Sequence, residues 1–169
     1  MRRLLAALAL GLCGCATGAP EGVEPVTGFE LDRYLGKWHE IARLDHRFER
    51  GLSKVTAEYS MREDGGVRVL NRGYSGEKGE WKEAEGRAYF TGDRTVGALK
   101  VSFFGPFYGG YNVIELDREN YSYALVCGPD RSYLWILART PEPDPAALER
   151  LKARAAELGF ETDKLIYPG

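Results

Sequence analysis

Turn signals recur along most of this chain at intervals that leave room only for strands between them. Glu63-Asp64-Gly65-Gly66, the stretch 75–79, Gly92-Asp93-Arg94, Asp117-Arg118-Glu119-Asn120 and Gly128-Pro129-Asp130-Arg131 carry the Gly, Asp, Asn and Pro that tight bends require. The clearest run between turns is 53–62. There Val55, Ala57, Tyr59 and Met61 alternate with Lys54, Thr56, Glu58 and Arg62, the pattern of a strand with one wet face. The same reading along the chain predicts eight strands, at 38–44, 53–62, 67–74, 81–91, 99–103, 111–116, 121–127 and 132–139. The connections are hairpin-sized, with no room for crossover helices. The expected class is therefore all-β: an eight-stranded up-and-down antiparallel β-barrel. Such a barrel removes its own edges and has space for one small ligand.

Helical signals flank the strands. A short helical turn is expected over 29–35. After the last strand, Asp144 is a natural N-cap with Pro145 at the first helical position. Leu148, Leu151, Ala155 and Leu158 form an apolar stripe, and Gly159 suits the position just past the helix end. This helix should pack outside the barrel. A final short strand is expected at 165–167.

The N-terminus reads as targeting rather than fold. Arg2 and Arg3 precede an apolar stretch, 4–12, of nine residues, too short to span a bilayer. Leu12-Cys13-Gly14-Cys15 follows. A plain secretory signal cut after Ala16 or Ala19 is the other reading of this segment. Residues 16–28 are rich in Gly, Pro and Thr without periodicity and read as a tether, whose thirteen residues reach at most about 45 Å. The division expected is a signal at 1–14, a tether at 15–28 and one domain at 29–169. The net charge of −2 becomes −4 once Arg2 and Arg3 are removed, and no basic face is visible, so nucleic acid is not an expected partner. Only Cys127 then remains in the domain, which excludes an internal disulfide.

Gly36-Lys37-Trp38 opens the first strand, and the last one, Leu134-Trp135-Ile136-Leu137-Ala138-Arg139, ends on a cation. Arg139 stacked over the Trp38 indole would close the floor of the barrel. On a regular strand Glu40, Ala42 and Leu44 share the inward face of Trp38. An inward carboxylate needs a partner.

With these motifs the chain resembles the lipocalin family from residue 29 to residue 167. Gly36-x-Trp38 is similar to the family's first motif. Asn112-Val113-Ile114-Glu115-Leu116-Asp117, followed by Tyr121-x-Tyr123-Ala124, is similar to the second, and Arg139 to the third. Phe103-Phe104-Gly105-Pro106-Phe107-Tyr108-Gly109-Gly110-Tyr111 and Leu125-Val126-Cys127-Gly128-Pro129-Asp130 are similar to the bacterial outer-membrane branch. Departures are His39 where Tyr is usual and the missing disulfide near the C-terminus. Leu12-Cys13-Gly14-Cys15 likewise resembles a lipobox. That resemblance implies diacylglycerol on Cys15, cleavage before it and, with Ala16 rather than Asp next, an outer-membrane anchor with the domain facing the periplasm. The branch implies a fatty acid or lysophospholipid ligand in envelope lipid storage or transport, and it admits a homodimer.

Topology orients the cup. Trp38, Arg139 and Asp117 mark the closed end, and loops 45–52, 74–80, 104–110 and 128–132 surround the mouth. The loops carry Phe48, Phe104, Phe107 and Tyr108 to grip an acyl chain, beside Arg47, Arg50, Lys78 and Arg131 to meet an anionic head. Loop packing, a dimer contact or plain solvation are the other readings of these residues. The expected wall is Val55, Ala57 and Tyr59, joined by Ala42, Val69, Ala88, Phe90, Val101 and Val113. Glu40 reads either as a cavity acid or as a structural ion pair near the floor. Cys127 reads as a small buried residue or a reactive thiol.

Three function classes follow. The first is an anchored lipid binder that performs no chemistry. The second is an enzyme, for which the chain offers two histidines, His39 and His46, seven residues apart, and one thiol. The third is an envelope scaffold with a filled barrel. A pigment in the cup stays within the first class. No cofactor, catalytic group or metal site is expected from the motifs.

Overall fold

The computed structural model describes residues 16–169; Cys15 and the signal segment lie outside the described residues. Eight antiparallel strands close on themselves in sequence order. They are β1 (Gly36–Arg43), β2 (Leu52–Met61), β3 (Val67–Ser75), β4 (Glu80–Phe90), β5 (Ala98–Phe104), β6 (Phe107–Leu116), β7 (Tyr123–Cys127) and β8 (Leu134–Ala138). β1 pairs with β8 to complete the ring, with Glu40 opposite Leu137 and Arg43 opposite Trp135. A four-residue turn of helix, α1 (Leu31–Tyr34), precedes β1.

The outer helix, α2 (Pro145–Glu157), starts and stops as its sequence dictates. The Asp144 carboxylate accepts hydrogen bonds from Ala146 N and Ala147 N. At the other end Gly159 takes φ +85°, Gly159 N donates to Ala156 O, and Phe160 N donates to Ala155 O. These paired bonds satisfy two carbonyls that the helix end leaves free. Leu151, Ala155 and Phe160 pack with Leu125, Cys127 and Ile136 in a core between helix and barrel. A second core, containing Trp38, Tyr59, Val69, Val126 and Leu137, fills the barrel itself.

Irregularities in the ladders decide which side chains enter which core. A bulge between Glu40 and Ala42 resets the alternation of β1. Ala42, expected on the barrel wall, therefore packs in the outer core with Leu44, while Arg43 turns inward. The hairpin between β5 and β6 is tighter than expected: Phe104 pairs with Phe107, so residues 107–110 belong to β6 rather than to a mouth loop. Near the C-terminus a short 3₁₀ turn, Thr162–Lys164, precedes the expected strand at 165–167, which is reduced to one bridge between Ile166 and Arg43.

The segment read as a tether has a fixed course. Ala16 O accepts from Gly110 N at 3.1 Å, Val26 N donates to Val113 O at 2.8 Å, and Phe29 N donates to Thr95 O at 2.8 Å. Val23 is buried in the outer core. Residues 16–28 thus lie as a strap along β6, from its mouth side down to the β4–β5 connection.

Candidate functional site

The closed end is built around Trp38 and Arg139. The indole is fully buried and its Nε1 donates to Tyr34 O at 2.8 Å. The Arg139 guanidinium stacks 3.9 Å from the ring centroid. It also donates to the carbonyls of Arg33, Tyr34, Leu35, Lys37 and Tyr121. Gly36 holds φ +96°, and a Cβ there would lie 3.4 Å from Arg139 Nη1, so the glycine serves both the bend and the close approach. Asp117 caps the β6–β7 turn by accepting from Glu119 N, Asn120 N and Ser122 N.

Above this floor the interior is divided by three tyrosines. The Tyr111 hydroxyl lies 2.6 Å from that of Tyr34 and 2.7 Å from that of Tyr59. Burial pushes all three phenols up, so they stay neutral. Below them is an apolar space of about 20 Å³, lined in part by Phe29, Val67, Ala88 and Leu99. Above them is a cavity of about 100 Å³. Its wall is Val55, Ala57, Tyr59, Val69, Val101, Phe103, Tyr111, Val126 and Leu137, and its polar side is Glu40, Glu49, Asn71 and Trp135.

The polar side is a buried network. Arg43 Nη1 donates to Glu40 Oε1 at 2.6 Å, and Arg43 Nη2 donates to Glu49 O at 2.8 Å. Trp135 Nε1 donates to Glu49 Oε2 at 3.0 Å, and His46 Nε2 lies 2.9 Å from the same oxygen. Burial, reinforced by repulsion from Glu49, outweighs Arg43 and pushes the Glu40 carboxyl up to about 8. Burial acts on Glu49 too, but hydrogen bonds from His46 and Trp135 override it and hold that carboxyl below its usual value. One carboxylate and one guanidinium thus balance, and Glu40 keeps its proton near neutral pH.

The sequence candidates divide accordingly. Glu40, Val55, Ala57, Tyr59, Val69 and Val101 line the upper cavity, and Ala88 lines the lower one. Val113 and Phe90 sit in the inner core but line neither; Phe90 packs edge-on to Phe29. Ala42 is outside for the reason given. Phe104 and Phe107 line neither cavity either: they stand 71% and 69% exposed at the hairpin tip, because the tight turn leaves them no wall to lie against. Tyr108 faces outward, its hydroxyl accepting from Arg87 Nε at 2.9 Å. Arg50 pairs with Asp45, and Arg131 donates to Leu158 O and Glu21 O, tying helix and strap together instead of serving the mouth. The Glu40–Arg43 pair lies towards the mouth, not near the floor, since β1 runs upward from Gly36.

In the upper cavity, sequence reasoning missed Tyr111, Phe103, Asn71, Val126, Trp135, Leu137 and Glu49. Tyr111 stands two residues before Val113, and Trp135 and Leu137 alternate towards Arg139, so periodicity held a signal for these three. Glu49 carried none, being one charge in a charged loop.

Comparison with known proteins agrees with this architecture. The family profile described as "Lipocalin-like domain" matches residues 29–169. The chain is 61% identical over 167 residues to the outer membrane lipoprotein Blc of Vibrio cholerae, covering 99% of this chain and 98% of that one. It is also 61% identical over 148 residues to the protein of the same name from Escherichia coli K12, covering 88% and 83%. Apolipoprotein D of Bos taurus is 33% identical over 174 residues, covering 96% and 90%. Among solved structures, insecticyanin of the tobacco hornworm shares the fold, with a TM-score of 0.70 at 24% identity over 90% of this chain and 87% of that one. Relatives this similar in sequence over most of their length locate the chain, like them, at the outer membrane. A closed eight-stranded barrel with Arg139 over Trp38 at its floor, a helix on its flank and these relatives identify the chain as a member of the lipocalin family.

Proposed function

We propose that this lipocalin binds one amphiphile, a fatty acid or a lysophospholipid, for storage or transport of lipid in the cell envelope, and that acylated Cys15 holds it on the membrane with the domain in the periplasm. The observation that carries the reading is the upper cavity: an apolar wall under a buried polar network of Glu40, Arg43, Glu49, His46 and Trp135. The chain enters along the wall and the head group stays at the network or above it. Each methylene buried contributes about 0.8 kcal/mol. The upper cavity, about 100 Å³, is smaller than the roughly 150 Å³ that takes a benzene ring. It therefore receives the end of a chain, and Tyr111, which lines both spaces, stands between it and the space below.

The protein is read as a binder rather than an enzyme. Its thiol is buried and pushed up to about 12, and His46 is engaged with Glu49. Native mass spectrometry with lipid extraction on the domain from residue 16 onward tests the proposal. A bound fatty acid or lysophospholipid is expected. A clean apo mass, with no displacement of a fluorescent fatty acid, would move weight to an envelope scaffold, the reading that the small cavities favour. A homodimer, which the branch admits, is read from sedimentation at two protein concentrations.

A further inference from the structure

The strap starts where the cup opens. Ala16 O accepts from Gly110 N at 3.1 Å, and Gly18 O accepts from Asn112 Nδ2 at 3.2 Å. Gly110 is shaped for this. A Cβ there would lie 2.9 Å from Gly18 O and 3.0 Å from Thr17 O, so only glycine lets the strap's backbone lie against β6. Gly110 is three residues along β6 from Phe107, roughly 10 Å at the usual strand rise. Ala16, the residue that follows Cys15 in the chain, is thereby held beside the β5–β6 hairpin, on the mouth side of the barrel.

Among the described residues, that hairpin carries the most exposed large apolar side chains. Phe104 and Phe107 bracket Gly105-Pro106, and Phe48 is exposed at the same end of the barrel. On the outer wall below the tip, Arg87 donates to Tyr108 and Lys100 lies 4.9 Å from the Tyr108 ring centroid. Among the described residues neither cation is paired with a carboxylate. Aromatic rings above long cationic side chains suit a bilayer interface, where rings enter the head-group level and cations stay with the phosphates.

We propose that the mouth is a membrane-docking face: the strap holds acylated Cys15 beside the hairpin, the mouth turns towards the phospholipid leaflet, and Phe104 and Phe107 enter its interface. The proposal rests on the acylation of Cys15 put forward above. The occupant is lipid because the chain outside the described residues leaves the barrel within roughly 10 Å of the tip, comparable to the ~5–10 Å that apolar faces sink into the head-group boundary. An amphiphile then passes between leaflet and cup with little exposure of its chain to water.

The test uses the full-length, lipidated protein in liposomes of phosphatidylethanolamine and phosphatidylglycerol, with part of the lipid brominated on its acyl chains. Phe107→Trp places a fluorescent probe at the tip and Glu119→Trp one at the closed end, each read against the unsubstituted protein. Bromolipid is expected to quench the probe at position 107 at least about two-fold and to leave that at position 119 unchanged. Gly110→Val, which drives a side chain into Thr17 and Gly18, is expected to bring the 107 signal down towards the 119 level while the circular dichroism and melting of the barrel persist. No quenching at 107, or equal quenching at both positions, overturns the docking face. Quenching at 107 that survives Gly110→Val overturns the role of the strap. Cross-linking between copies through Phe107→Cys, without quenching at 107, reassigns the tip to an interface between copies. Intact mass on the same sample reads acylation, and displacement of a fluorescent fatty acid reads the cup. A correct mass and a working cup without quenching therefore fail this proposal alone, whereas an unacylated Cys15 fails the anchor on which it rests.

Discussion

The Glu40 carboxyl and the Arg43 guanidinium meet at 2.6 Å inside the barrel, with only 4% and 1% of their side chains exposed. Glu49 is close enough to compete for the same cation. Two carboxylates and one guanidinium in a dry site cannot all be charged without cost, and Glu40 is the group that keeps its proton.

Stability should fall as pH rises through the neutral range. Between the ordinary carboxyl value of 4.5 and about 8, the unfolded chain has released the Glu40 proton that the folded chain retains. The unfolded state then binds fewer protons, so unfolding is favoured by raising pH. Glu49 acts oppositely: its lowered value adds stability above the ordinary carboxyl range that is lost on acidification. Calorimetry from pH 5 to pH 8.5 is expected to show a declining melting temperature, and Glu40→Gln to flatten that decline. A slope unchanged by the substitution would refute the assignment to Glu40.

Tyr111 is the partition of the cup. Tyr111→Phe removes the central hydroxyl of the Tyr34–Tyr111–Tyr59 chain and leaves two buried phenols short of a partner, a cost of about 1–3 kcal/mol. Tyr111→Ala costs more but joins the two cavities it lines. Its affinity is expected to shift towards longer fatty acids, as measured by displacement of a fluorescent acid across a chain-length series.

Arg139→Lys should not be conservative. The guanidinium reaches five backbone carbonyls while lying flat on Trp38, which one ammonium cannot do. A loss of about 2–3 kcal/mol is expected in urea unfolding, with ligand binding retained at low denaturant because the floor is remote from the polar network.

Cys127 should be inert in the folded protein. Burial pushes its thiol up to about 12, so little thiolate forms near neutral pH. Labelling by a disulfide reagent at pH 8 is expected to track unfolding. Fast labelling of the native protein would contradict this burial and revive a reactive thiol.

The sequence by itself determined the barrel. Turn residues at short intervals and alternation such as that of 53–62 allow only hairpin-joined strands, and the caps at Asp144 and Gly159 fix one helix, because these are local preferences of the backbone. Gly36, Trp38, Asp117 and Arg139 were legible at the closed end for the same reason, each having a distinct turn or stacking role. Only the tertiary structure decided the cup. A single bulge after Glu40 moved Ala42 outside and brought Arg43 in, and no local preference announces a bulge. The polar network joins a strand, a loop and the last strand, so Glu49 acquired its role from residues far away in sequence. Residues 16–28 showed no periodicity because their contacts with the barrel are mostly made by backbone groups, and the groove that receives Ala16–Gly18 is an absent side chain, at Gly110.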